Sequence, residues 1–178
     1  FIDELLDALP SVLSNREVEF IIDFLPRSNL ISKAKHSSLP TLLFFLSQSA
    51  DWEVLFTLSA NPRCPVEALE RLARSGHKHI RANVAKHAYA TQKILADLSE
   101  DLIWECRMHA AANTSTNDAS LRRLSNDAVE EVRAAVAANE SAPESYLATL
   151  SSDQSWMVRA GVARNAHTPG RILVNLSH

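Results

Sequence analysis

Asparagine recurs at a fixed interval along this chain, at Asn61, Asn113, Asn139 and Asn165, with His87 in the one vacant slot. The step is 26 residues each time. A constant step of that size marks a stacked repeat, in which one small supersecondary unit buries its apolar face against copies of itself. It restricts the fold more than any other feature, because a 26-residue unit cannot close a core alone.

Aligning on the asparagine exposes the rest of the unit. Six residues earlier stands an arginine, as Arg81, Arg107, Arg133 and Arg159. The residue before that position is apolar in all five units: Val54, Ile80, Cys106, Val132 and Val158. Asp101, Asp127 and Asp153 lie twelve residues before the asparagine slot. Leucine follows the slot by eight residues (Leu69, Leu95, Leu121, Leu147, Leu173) and again by eleven (Leu72, Leu98, Leu124, Leu150, Leu176). Proline follows it by four residues in three units, as Pro65, Pro143 and Pro169.

Each unit reads as two short helices. Val129, Val132 and Val136 recur at helical spacing and form one apolar stripe, with alanines on the remaining faces. Asp127, with Glu130 three residues on, is expected to cap the start of this helix. Asn139 is expected to end it in the left-handed conformation that asparagine tolerates. The second helix takes proline at its first position, with Thr116 and Thr168 as N-caps. Its buried stripe is Ile172, Leu173 and Leu176, or Tyr146, Leu147 and Leu150 one unit earlier. Because the stripe spans so few residues, the second helix is expected to be partly 3₁₀.

The arginine, aspartate and asparagine rows are read as a structural ladder joining neighbouring units. The competing reading of the arginines is a row of guanidinium groups offered to an anion. The ladder is preferred because units in a repeat array contact only their neighbours. Trp52, Trp104 and Trp156 all fall nine residues before the slot, in alternate units. Burial between units is preferred for them over a ligand-gripping surface, since large aromatics mostly pack.

With these columns in place, Val132–Asp153 (VRAAVAANESAPESYLATLSSD) and Val158–Ser177 (VRAGVARNAHTPGRILVNLS) resemble the leucine-rich repeat variant family. Val54–Ser75 is similar too, although Leu55 replaces the arginine. The resemblance covers residues 51–178. It implies an all-α, HEAT-like α-solenoid, a right-handed superhelix of alternating α and 3₁₀ helices without strands. Some members of that family carry an iron–sulfur cluster on a separate cysteine-rich segment. No such segment is present here, so no cofactor is expected. The family implies no single activity.

Two domains are expected: an N-terminal helical cap with a degenerate repeat over residues 1–50, and five tandem repeats over residues 51–178. In the cap, Ile2, Leu5, Leu6 and Leu9 form one stripe, and Val18, Ile21, Ile22 and Leu25 another. Leu39, Leu43 and Leu46 then supply a second helix if Lys35 takes the asparagine slot. Past His178 more repeats or another domain are expected to follow.

The chain is mildly acidic, with a formal net charge of −3. Its charge is uneven. Between Arg63 and Lys93 seven basic residues face two acidic ones, a local net of +5. Such a stretch attracts phosphate or an acidic protein surface. An acidic chain overall argues against a dedicated nucleic-acid binder. The first reading is therefore a non-enzymatic scaffold for a protein partner, with Arg71, Arg74, Lys78, His79, Lys86, Arg123 and Met157 as candidate contacts. The alternative is nucleic-acid binding or repair through residues 63–93 and the tryptophans.

His77 and His79 would make half of a metal site, with no third ligand in register, so no metal is assigned. No P-loop, GxSxG or HExxH occurs. Cys64 and Cys106 read as two small buried side chains in a reducing, cytoplasmic setting. No run of 18 apolar residues predicts a membrane span.

Overall fold

The computed structural model describes residues 15–176 as helices joined by short turns, with no strand among them. Among the described residues thirteen helices form two compact lobes, one ending at Val84 and the other beginning at Ala85. The first lobe holds α1 (Asn15–Phe24), α2 (Arg27–His36), α3 (Pro40–Leu46), α4 (Trp52–Ser59) and α5 (Val66–Leu72). The boundary falls within α6 (Lys78–Lys86). The second lobe holds α7 (Gln92–Leu98), α8 (Trp104–Ala112), α9 (Asp118–Leu124) and α10 (Glu130–Ala138). It ends with α11 (Glu144–Leu150), α12 (Trp156–Arg164) and α13 (Gly170–Asn175).

Packing follows the column pattern. In the second lobe α10 lies directly on α8 and on α12, while α9 and α11 bridge from behind. In the first lobe α2 packs on α4, and α3 contacts α1, α2, α4 and α5. The five apolar residues before the arginine column, Val54 to Val158, are all sealed from solvent. So are the leucine pairs through Leu147 and Leu150. Leu173 differs, at 40% exposure, because no described helix packs over it. Small residues set the spacing: a Cβ built on Gly161 would lie 3.0 Å from the Ala134 carbonyl and 3.0 Å from the Ala137 Cβ. Helices that close have no room for a larger side chain there.

Several local expectations change. The second helices are α-helical over seven residues, as in α7, α9 and α11. Three-residue bonds appear only at their ends: Tyr146 and Ile172 donate to Pro143 and Pro169 at the entry, and Glu100 and Asp101 to carbonyls three residues back at the exit. Pro65, Pro143 and Pro169 sit one position earlier than expected, as N-caps, Pro65 and Pro169 in extended conformation. Asn139 ends α10 with φ −72° and ψ 122°, not left-handed. Among the described residues none has a positive φ. Asp127 is not the cap of α10, whose N-cap is Val129. Instead its Oδ1 accepts from the Val129 N–H in a turn that precedes the helix.

Thr116 and Thr168 face backwards. Their hydroxyls donate to Ala110 and Val162 at 2.6 Å, satisfying the end of the preceding helix. Asn117 and Pro169 hold the cap positions instead.

The degenerate unit is also corrected. Lys35 is exposed in the last turn of α2, and Ser37 takes the asparagine slot. Ser37 ends α2, its Oγ accepts from the Leu39 N–H at 3.2 Å, and its carbonyl accepts from Asn61 at 3.0 Å. The step here is 24 residues, not 26. Val18 and Leu25 are buried, whereas Ile21 and Ile22 are half-buried. The Ile2–Leu9 stripe lies outside the described residues.

Candidate interaction surface

The slot residue works in three directions. Asn139 Nδ2 donates to the carbonyls of Ala111 (2.7 Å) and Asn113 (3.0 Å), and its Oδ1 accepts from the Ser141 N–H (2.7 Å). Asn165 repeats this on Ala137, Asn139 and His167. Asn113 repeats it on Ala85, His87 and Ser115. Asn61 reaches Ala34, Ser37 and Arg63. A primary amide suits the task because it carries two donors and an acceptor. In the same slot His87 takes the acceptor part, with Nδ1 accepting from the Tyr89 N–H at 3.2 Å.

The arginines form rungs. Arg107 grips Asp127 with Nε (2.7 Å) and Nη2 (3.0 Å), while Nη1 donates to the Asp101 carbonyl (2.9 Å). Arg133 does the same with Asp153 and the Asp127 carbonyl. Arg81 and Arg159 donate to the Ser75 and Asp153 carbonyls. These bidentate pairs are the strong form of ion pair. The Arg133 hydrogen bonds hold the Asp153 carboxyl below the usual range. Burial pushes Asp127 up, but the Arg107 hydrogen bond and charge, the Val129 N–H and the Arg133 charge together outweigh it, and this carboxyl too stays low. Low carboxyls stabilise the fold above their unfolded values, and that contribution is lost as pH falls through the folded ones.

Two further groups bear on chemistry. Burial lifts the Cys64 thiol to about 12, so it supplies no thiolate at neutral pH. Burial, with the Lys86 ammonium, pushes the His109 imidazole down to about 4, against a partial offset from Glu105. The unfolded chain therefore takes up this proton first. Stability is expected to fall as pH drops from about 6.5, the free imidazole value, towards 4. His109→Gln should flatten that part of a melting-temperature against pH curve. An unchanged slope in melts at stepped pH would contradict the assignment. Among the described residues, no three His, Cys, Asp or Glu side chains converge as metal ligands.

The candidate contacts scatter. Arg71, Arg74, Lys78, His79, Lys86 and Arg123 are all exposed. Arg71 is engaged through Nε with the Ser47 carbonyl at 3.1 Å. Arg123 binds the Ser99 hydroxyl and pairs with Glu100 at 2.7 Å. Both reach back to the serine that ends the preceding second helix. That serine row (Ser47, Ser99, Ser125, Ser151) was missed, although its signal, serine directly after the second leucine, is plain in the sequence. Each hydroxyl donates to a carbonyl three residues back. The basic stretch itself is divided, with Arg63 to Arg81 in the first lobe and Lys86 and Lys93 in the second.

Burial of the tryptophans is overturned for two of the three. Trp52 is 53% exposed and Trp156 70%. Trp104 is half-buried against the core of the second lobe. All three open a first helix. Their column holds Lys78 and Glu130 in the intervening units, so its charged members already marked it as solvent-facing.

In the first lobe the exposed ring has company. Phe56, one turn on, and His77 each place a ring centroid 6.1 Å from Trp52. Beside them Arg27 binds both Asp51 and Glu53. This rung was missed because it uses neither the arginine nor the aspartate column.

A solved structure described as a leucine-rich repeat variant with a novel repetitive protein structural motif superposes on 99% of this chain and 79% of its own. The TM-score is 0.64 at 20% identity. The chain has the leucine-rich repeat variant fold. No family model matches the sequence, and no curated protein matches it. At this identity the likeness establishes architecture alone: an all-helical repeat solenoid. In this leucine-rich repeat variant fold no helix among the described residues is long and apolar enough to cross a membrane.

Proposed function

We propose that the chain is a non-enzymatic repeat scaffold that binds a protein partner through the exposed faces of its first helices. One observation carries this reading. Trp52, Phe56 and His77 form an aromatic cluster at the surface, while the leucine columns of the same lobe are buried. Exposed tryptophan with aromatic neighbours is the composition of interface hot spots. The free, buried cysteines fit a reducing compartment, so a cytoplasmic location belongs to the proposal.

Trp52→Ala is expected to leave thermal unfolding nearly unchanged. It should weaken capture of the partner from native extract by at least about tenfold, as hot-spot truncation does. Equal capture by both proteins would remove the reading. The nucleic-acid alternative draws on the same exposed ring together with exposed Arg63, Arg74 and His79. Duplex DNA binding with a steep salt slope would favour it instead.

A further inference from the structure

The first lobe holds a cleft away from the tryptophan cluster. It has a volume of about 490 Å³ and lies between α1, α2, α3 and the turn after α3. That is within the range of sites that seat side chains or small ligands, roughly 300–1,000 Å³. Its apolar lining is Ile22, Leu25, Leu30, Phe45 and Leu46. Glu19 and Asp23 stand on its α1 side, one helical turn apart, and both are exposed. Among the described residues, no basic side chain lines the cleft to neutralise them. Gln48, at the opposite wall, brings an exposed amide with both a donor and an acceptor.

We infer that this cleft is a docking site for a partner-protein segment carrying a bulky apolar side chain next to a lysine or arginine. The apolar residue fills the pocket over Ile22 and Leu30. The cation lies against Glu19 and Asp23. The Gln48 amide bonds the backbone of the segment. Charge complementarity selects the occupant: two carboxylates lining a largely polar cleft, beside a few apolar side chains, repel acidic segments and nucleic acid alike. This site is separate from the tryptophan face and does not depend on the partner proposed there.

The test uses the whole chain, isotope-labelled on amides and methyl groups, titrated with two acetylated and amidated tripeptides, Phe-Lys-Leu and Phe-Glu-Leu. The lysine peptide is expected to shift the methyl signals of Ile22 and Leu30 and the side-chain amide of Gln48. The glutamate peptide should not. The double variant Glu19→Lys, Asp23→Lys should reverse the preference. It should weaken the lysine peptide by about fivefold, the worth of two exposed ion pairs, and gain the glutamate peptide. An unfolded variant cannot gain binding, so the reversal separates loss of the site from loss of the fold. Equal binding of both peptides, shifts confined to the Trp52 face, concentration-dependent self-association that moves the same signals, or no shift at peptide saturation would each overturn the inference. Loss of partner capture in Trp52→Ala leaves this result untouched, so the two readings fail separately.

Discussion

Asn139→Ala is expected to destabilise the chain by about 2–4 kcal/mol in urea or thermal unfolding, an unusually large loss for one polar side chain. The amide is buried and spends both N–H groups on carbonyls of the preceding unit. Truncation leaves the Ala111 carbonyl buried without its donor, and the Ser141 N–H loses its acceptor. Leaving such groups unmet costs more than the bonds themselves contribute. Two companion changes sharpen the result. Asn139→Asp keeps the acceptor but turns an oxygen towards two carbonyl oxygens, and should cost more than alanine. Asn139→His copies what His87 already does in its own slot, so it should cost less. A neutral alanine variant, or aspartate tolerated better than histidine, would sink the account of this row.

Leu147→Ala is expected to cost about 2–5 kcal/mol, as truncation of a sealed core leucine does. Leu147 is fully buried among Leu121, Leu124, Val132 and Val158, which cannot all move in to fill the void. The same change at Leu173 should cost much less, because that side chain is already 40% exposed. Lys86→Ala should fall within about 0.5 kcal/mol of the parent. The ordering of the three midpoints in one denaturation series is the check. If Leu147 and Leu173 responded alike, column membership and not burial would be setting the cost.

The columns were legible because their chemistry requires a fixed residue type. A primary amide suits all three slot bonds, and a branched apolar side chain fills the leucine positions. What escaped were features decided by distance in space. Asp127 looked like a cap because its sequence neighbours allow one, yet its carboxylate is claimed by Arg107, twenty residues earlier. Thr116 and Thr168 stand before a helix but bond to the one behind. Ser37 was hidden by a 24-residue step that a fixed 26-residue alignment cannot see. Trp52 and Trp156 lie on a helical face whose periodicity is clear. Periodicity says which residues share a face, not whether a neighbour covers it. The Glu19–Asp23 cleft had no linear signature, since its lining comes from three helices and a turn.

The slot bond spans successive units at an unchanging offset, so each asparagine amide nitrogen in the second lobe is addressed to the module before it. A gene for such a protein can grow or shrink by copying or excising whole asparagine-bearing modules, and the amide again meets two carbonyls at the new junction. A slip of a few codons gives no such match and strands the whole row at once. The architecture therefore filters its own evolution, tolerating duplication while purging small insertions.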